Sequence, residues 1–218
     1  MNNFNINKKS TQSGRSMIEM LGVLAIVGVL SGGGIAGYSK AMTKFKINKT
    51  IDQVTHIVTN VRTLYAQQTS YGGLYSQLQN GDKLGVLPDE LKDGIYSWSH
   101  NNNPFKGTIG ISEGYGDKFF VLTYHGLPKE ACVALATYDW GDKYSSGLTA
   151  ISVHSNFNWS GPYNALTDWN NICSMESGGI GTVACPGDAN NPTPMSVSKA
   201  AQGCACTDNS CTVGWKFQ

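Results

Sequence analysis

The sequence is short of charge, and it lacks the side-chain arrangements on which catalysis depends. Charged residues make up 14% of the 218 residues, and 16 basic against 15 acidic residues give a net charge of +1. This balance provides no basic surface for nucleic acid. No nucleophile stands with a base and an orienting acid in a recognisable motif, and no glycine-rich phosphate loop follows a strand. We therefore expect neither an enzyme nor a nucleic-acid-binding protein, and we expect no cofactor.

Cysteine is absent from the first half of the chain and concentrated in the second. An even number of cysteines in a loop-rich, exported region favours disulfides formed in an oxidising compartment. The alternative is a thiolate metal site. However, only one residue lies between Cys204 and Cys206, whereas two residues usually lie between neighbouring zinc ligands, and no nearby histidine completes a set of ligands. We expect disulfides and no metal. The six cysteines are Cys132, Cys173, Cys185, Cys204, Cys206 and Cys211.

A long apolar stretch without charge begins directly after an acid. Met20 to Tyr38 is a run of 19 uncharged residues, and Glu19 precedes it. As a helix this run would be about 28 Å long, which suffices to cross a bilayer core. We place the membrane segment at about residues 17–38. A carboxylate at the edge of such a segment is costly and usually has a partner.

The residues before Glu19 resemble the leader of type IV prepilins and of type II secretion pseudopilins. The leader is short and polar, and Gly14 stands five residues before Glu19. The apolar run follows the cleavage site, whereas in a secretory signal it precedes the site and is lost. The resemblance implies that a prepilin peptidase removes residues 1–14 by cutting between Gly14 and Arg15. Family members usually carry Phe, Met or Leu, N-methylated, where this chain has Arg15. The simpler alternative is a signal anchor that tethers an exported domain.

Residues 15 to about 70 are predicted to form one long helix in two halves. The first half is apolar all round, and the second is amphipathic with apolar residues at three- and four-residue steps. Between the halves lie four glycines, each of which weakens a helix by about 1 kcal/mol relative to alanine. They favour either close helix packing in the membrane or a segment that unwinds when the subunit leaves the bilayer. The glycines are Gly32, Gly33, Gly34 and Gly37.

Residues 71–218 are predicted to form a head domain with short strands. From Ser174 onward Gly, Pro, Asn and Cys dominate and periodicity is weak. A short helix is predicted at Lys129–Thr137, behind Pro128. The strand candidates, chosen by β-branched and aromatic content, are Gly94–Ser99, Thr108–Ile111, Lys118–Tyr124 and Ala150–His154.

Three segments of this head resemble the type IVb pilins, the group that contains the toxin-coregulated pilin. They are Asn103–Thr108, Phe119–Thr123 and Gly126–Cys132. The resemblance implies an α+β pilin fold, in which the long helix packs on an antiparallel sheet and the C-terminal region is rich in disulfides. It also implies a bridge from Cys132 to a later cysteine, for which Cys173 is our choice. The other four cysteines would then pair among themselves.

The resemblance further implies a structural subunit of a type IV pilus, which serves adhesion, aggregation or motility. The expected partners are other copies of the chain, the prepilin peptidase and the assembly machinery of the inner membrane. Glu19 is expected to pair with the free amine of a neighbouring subunit and so to set the axial step. The subunit would reside in the inner membrane with a periplasmic head before it joins an extracellular filament. The count of basic residues flanking the span slightly favours the reverse orientation, but the leader and the cysteines support this one.

Two alternatives remain open at the level of sequence. Within the family, the chain could be a minor pilin or a pseudopilin of a secretion machine. Outside it, the chain could be a membrane-anchored surface-binding domain that never polymerises. Five tryptophans and several asparagine runs, including Trp98–Asn103 and Phe157–Trp159, could form a glycan-binding patch, although core packing is the favoured interpretation for them.

Overall fold

The computed structural model describes residues 17–78, 81–92, 103–155, 182–190, 192–207 and 210–218. The chain divides into two compact units, Met1–Met42 and Thr43–Gln218. Helix α1 spans Met17–Tyr65 and contributes to both. The predicted leader and the predicted strand Gly94–Ser99 lie outside the described residues, as do nearly all of the tryptophan and asparagine runs.

The second half of α1 forms one wall of the head domain. Its buried apolar residues recur at helical spacing, as the amphipathic pattern predicts, and all of them except Ile47 pack into the main core. Leu64, which the pattern assigned to the same face, is 46% exposed. It stands in the last turn, next to Tyr65, where the helix ends. The buried apolar residues of this half are Ile47, Val54, Ile57, Val58 and Val61.

The second unit contains a five-stranded, fully antiparallel sheet in the order β1-β2-β5-β3-β4. The last strand in the chain, β5, lies in the middle and pairs with both β2 and β3. The strands are β1 (Ile109–Glu113), β2 (Phe120–Leu127), β3 (Leu148–His154), β4 (Thr182–Ala184) and β5 (Cys211–Phe217).

Short helices surround this sheet. Helix α2 is Leu74–Leu78, α3 is Lys129–Ala136 and α4 is Val197–Gly203, and two 3₁₀ turns lie at Asp89–Leu91 and Tyr115–Asp117. Ser196 caps α4, because its hydroxyl oxygen accepts a hydrogen bond from the Lys199 amide. Helix α3 confirms the short helix predicted behind Pro128.

The two faces of the sheet differ in chemistry. The inner face packs on α1 and is aromatic and aliphatic, with Tyr124, Trp215 and Phe217 fully or almost fully buried. Alternate residues point to the other side. We call that side the outer face, defined by Thr123, His125, Ser152, His154, Thr212 and Lys216. All six are buried as well, so both faces of the sheet are covered.

Candidate assembly site

The first half of α1 presents an apolar surface with no burial. Leu24 is 65% exposed and Val29 is 77% exposed, and none of the side chains in the most apolar window of the helix is buried. Among the described residues, α1 is the one helix whose length and hydropathy suffice to cross a bilayer. Contiguous exposed apolar surface on this scale marks a membrane or protein interaction site.

Glu19 stands in the first turn of α1, between the exposed apolar residues Ile18 and Met20. A carboxylate is favoured there because the unpaired amides of a helix N-terminus carry partial positive charge. The structure therefore places the acid at the start of the apolar surface, at the end nearest the predicted cleavage site. Gly14 and Arg15 lie outside the described residues.

The glycine-rich segment continues the helix. Gly32, Gly33, Gly34 and Gly37 all lie within α1, and apart from their chain neighbours and the adjacent helix backbone no atom lies within 4 Å of the position that a β-carbon would occupy. Side chains could be added there without a clash in the single chain. The predicted unwinding concerns the filament and stays a prediction.

A chain of polar contacts joins the second half of α1 to the sheet. The Tyr124 hydroxyl donates to Gln53 Oε1 at 3.3 Å, and Gln53 Nε2 donates to Glu90 Oε1 at 3.1 Å. Lys49 Nζ lies 3.3 Å from the same Glu90 oxygen. The hydrogen bond from Gln53 holds the pKa of Glu90 below its usual value, while burial raises the pKa of Tyr124 well above 10.0. This chain fixes the rotation of the helix on the sheet, because every buried polar atom in it has a partner.

A tight loop before β1 is held by one side chain. Asn103 Oδ1 accepts from the amides of Phe105 and Gly107, both at 2.9 Å, and its Nδ2 donates to the His125 carbonyl at 2.7 Å. A β-carbon on Gly107 would lie 1.8 Å from that carbonyl oxygen. Lys106 adopts a φ of 66°, in the left-handed region that the loop requires. Only glycine fits at position 107.

The outer face of the sheet holds two buried histidines. The ring nitrogens of His125 lie 3.0 Å from the hydroxyls of Thr123 and Thr212. Burial, and then the neighbouring His154, lowers the pKa of His125 to about 3. Burial lowers the pKa of His154 to about 4. Its Nε2 and the Ser152 hydroxyl have no hydrogen-bond partner among the described residues. Both histidines are therefore neutral at physiological pH.

Two disulfides brace the region after α3. Cys132 of α3 is bonded to Cys204, the residue that caps α4, with their Cα atoms 5.9 Å apart. Cys206 is bonded to Cys211 at the start of β5. Cys185 is also disulfide-bonded, and none of the cysteines in the described parts of the chain is free.

The predicted bridge between Cys132 and Cys173 is wrong. The reason is the packing of α3 against α4, which brings Cys204 next to Cys132. The Met195 amide, just before α4, donates to the Ala136 carbonyl at the end of α3 at 3.3 Å and holds the two helices together. Cys173 itself lies outside the described residues.

The sulfurs of Cys132, Cys204 and Cys211 lie within 4.8 Å of one another, which is the geometry of a possible metal cluster. All three belong to disulfides. Oxidised sulfurs offer no thiolate, and the thiolate is the form that binds zinc. The cluster is therefore the contact between two neighbouring disulfides, at the point where α3, α4 and β5 meet.

Comparison with known protein families identifies the family to which this combination of a long helix and a head domain belongs. A family model described as Bundlin matches residues 39–185, which is most of the chain. This chain belongs to the Bundlin family of type IVb pilins. The matched range begins within the first half of α1 and includes the Asn103 loop, α3 and β1 to β4.

Relatives of this pilin are pilus subunits. It is 31% identical over 153 residues to the major structural subunit of bundle-forming pilus from Escherichia coli O111:H-, an alignment that covers 69% of this chain and 77% of that protein. It is 29% identical over 143 residues to the toxin coregulated pilin of Vibrio cholerae serotype O1, covering 60% of this chain and 59% of that protein. A crystal structure of TcpA, a type IV pilin from Vibrio cholerae El Tor biotype, superposes with a TM-score of 0.45 at 22% identity, covering 82% of this chain and 99% of that one.

Sequence reasoning missed α2 and β4, and it missed three further features of this pilin head. The first is β5, whose apolar residues alternate with Thr212, Gly214 and Lys216, and that alternation was a usable strand signal. The second is α4, for which Ser196 is an N-cap signal in the sequence. The third is Gln53, whose side chain points inward and joins α1 to the sheet. Helical periodicity alone shows it only as one polar residue on an apolar face.

Proposed function

We propose that this chain is the major structural subunit of its type IV pilus and that it polymerises through the first half of α1 after its leader is removed. The observation that carries the proposal is the uncovered apolar surface of that helix. Such a surface needs a nonpolar surrounding, which the bilayer provides before assembly and the helices of other subunits provide in the filament. The chain is a type IV pilin, and the proteins of this family are structural subunits.

Glu19 gives this assembly its direction. Hydrophobic burial between helices is nearly non-directional, so another interaction has to select one axial step. A buried carboxylate needs a cationic partner. The free amine of Arg15 on a neighbouring subunit would provide it once the chain is cut after Gly14. The amine does not exist at that position before cleavage, so cleavage and assembly are coupled.

In this proposal the chain passes through three successive stages. The uncleaved subunit lies in the inner membrane with its head in the periplasm, where the disulfides form. The prepilin peptidase then frees Arg15, and the inner-membrane assembly machinery adds the subunit to the base of an extracellular filament. The glycine-rich segment of α1 is the cheapest place for the helix to extend during that transfer.

The test compares two acid-to-alanine substitutions in the same helix. Glu19→Ala removes the carboxylate from the assembly surface, and Asp52→Ala removes an exposed carboxylate from the second half of α1. Losing one partner of a buried pair costs about 3–5 kcal/mol. We therefore expect Glu19→Ala to remain membrane-inserted and to form no filaments. Asp52→Ala should assemble normally. Membrane fractionation and electron microscopy of sheared filaments measure both properties.

The same preparation separates the alternatives. Abundant filaments composed of this chain, with an N-terminal sequence that begins at Arg15, support a major pilin. Filaments in which the chain is a trace component indicate a minor pilin or a pseudopilin. A surface form that still begins at Met1 and never sediments as filaments would leave the membrane-anchored surface-binding domain as the answer.

A further inference from the structure

Two disulfides meet at one point of the head. The sulfur of Cys211, from the bridge Cys206–Cys211, lies within 4.8 Å of both sulfurs of the bridge Cys132–Cys204. We call Cys132, Cys204 and Cys211 the three-sulfur group. Its members come from different elements, since Cys132 lies in α3, Cys204 caps α4 and Cys211 begins β5. A bond from Cys211 to either of the other two would bring two sulfurs closer by about 3 Å at most.

The four cysteines of these bridges differ in their access to solvent. Cys132, Cys204 and Cys211 are buried, whereas Cys206 is partly exposed. The Sγ atoms of Cys206 and Cys211 each lie 3.6 Å from the Cys204 carbonyl oxygen, so the short bridge rests directly on a residue that the long bridge holds. A thiol from solvent therefore meets Cys206 first, and the sulfur that it would displace there belongs to Cys211.

We propose that the three-sulfur group is a disulfide-exchange site, through which a small thiol moves the long bridge from α4 to β5. The thiol attacks the Cys206 sulfur as its thiolate. The Cys206–Cys211 bond breaks, the thiol becomes bonded to Cys206, and Cys211 leaves as a thiolate. This thiolate is released inside the group, next to an intact disulfide.

The second step takes place between protein sulfurs alone. Attack of Cys211 on the Cys132 sulfur forms Cys132–Cys211 and releases Cys204, whereas attack on the Cys204 sulfur forms Cys204–Cys211 and releases Cys132. The released cysteine takes up the proton that the small thiol lost. Two disulfides are present before and after, one of them now the mixed disulfide on Cys206, so no oxidant is needed.

The exchange removes the covalent link between α3 and α4. In either product Cys132 and Cys204 are no longer joined, and β5 becomes linked to one of the two helices. The hydrogen bond from the Met195 amide to the Ala136 carbonyl remains and holds the helices by non-covalent contact. The head thus has more than one covalent arrangement of the same cysteines, and a thiol selects between them.

The test opens the short bridge in two ways. Cys206→Ser leaves a thiol on Cys211, inside the three-sulfur group, and Cys211→Ser leaves a thiol on Cys206, which does not belong to the group. Each full chain is incubated in detergent at pH 8, trapped with acid at intervals, labelled with a maleimide and mapped as non-reduced peptides. Both variants lose the same bridge, so differences in labelling report the position of the thiol.

In Cys206→Ser the label should spread from Cys211 to Cys132 and Cys204. A nucleophile held beside its target reacts at a high effective concentration, so labelling of these two cysteines should exceed that in Cys211→Ser by about tenfold or more. Label confined to Cys211 would overturn the proposal. Equal spreading in both variants would overturn it too, as would label on Cys185, because exchange would then occur in the unfolded chain.

The unaltered chain provides a second measurement that requires no substitution. Reduced glutathione at pH 8 should give an adduct on Cys206 together with a labelled thiol on Cys132 or Cys204. An adduct on Cys206 with the label on Cys211 and the Cys132–Cys204 bridge intact would contradict the second step. The absence of any adduct would contradict the first. Tryptophan fluorescence recorded on the same samples shows that the head is folded while the exchange takes place.

Discussion

Residues 17–42 and residues 43–218 use apolar side chains in opposite ways. In the first region these side chains are exposed along a helix that buries nothing of its own. In the second they form a core between α1 and the sheet, and that core is surrounded by a set of paired polar groups and by disulfides, of which Cys132–Cys204 and Cys206–Cys211 lie wholly within the described residues. The first region depends on its surroundings for stability, and the second carries its stability within itself.

The two regions should therefore respond to different perturbations. A change in the first region should alter membrane residence or assembly and leave the folding of the head untouched. A change in the second should alter the free energy of unfolding and leave insertion untouched. All five tryptophans lie beyond residue 43, so tryptophan fluorescence during urea unfolding of the full chain in detergent reports on the head alone.

The largest expected effect comes from the disulfides. Removing the Cys132–Cys204 bridge, which spans 72 residues, by double serine substitution should lower the free energy of unfolding of the head by about 4 kcal/mol. Removing Cys206–Cys211, which spans 5 residues, should cost about 2 kcal/mol, because the shorter loop restricts the unfolded chain less. Membrane insertion should be unchanged in both. A larger loss from the short bridge would show that packing around the cysteines in the folded head, and not loop length, dominates.

The next test makes one chemical change in both regions. Gly107→Ala places a β-carbon 1.8 Å from the His125 carbonyl oxygen and should destabilise the head by about 3 kcal/mol. The β-carbon of Gly33→Ala meets no atom within 4 Å beyond its chain neighbours and the adjacent helix backbone, and the change should alter head stability by less than about 0.5 kcal/mol. Urea unfolding followed by fluorescence measures both. Equal losses would mean that the two regions fold as one unit, contrary to the comparison.

A third test uses pH, which should act on the head only. His125 and His154 have folded pKa values of about 3 and about 4, below the value of 6.5 that applies when they are exposed. Between these values the unfolded chain binds more protons than the folded chain, so the stability is complete above about pH 6.5 and is lost as pH falls. We expect a loss of about 2 to 3 kcal/mol between pH 6 and pH 5 from the two histidines together.

The exposed His56 on α1 provides the control for this test. His56→Gln should leave the slope of stability against pH unchanged, whereas His125→Gln should reduce it by about half. A head whose stability is constant from pH 7 to pH 5 would show that the two rings are solvated and not buried as neutral groups.

The sequence predicted the elements whose signals are local. The apolar and amphipathic halves of α1, the aromatic strand that became β2 and the proline before α3 each depend on neighbouring residues, and each element is present within a few residues of its predicted bounds. Glu19 and the glycine segment were also found from spacing alone. Their place on α1 follows directly from the helix that contains them.

The features that the sequence did not predict depend on long-range packing. The partner of Cys132 is decided by how α3 lies against α4, and no local pattern records that arrangement. The central position of β5 depends on pairing with strands that lie far earlier in the chain.

The position of β5 has a consequence for the order in which the head is made. Among the described strands β5 comes last in the chain, yet it joins β2 to β3 in the middle of the sheet. Until Cys211–Phe217 has emerged, the β1–β2 and β3–β4 pairs have no strand between them. A chain that stops short of β5 therefore leaves two open strand edges, one on β2 and one on β3. The two halves of the sheet can join only when β5 is in place.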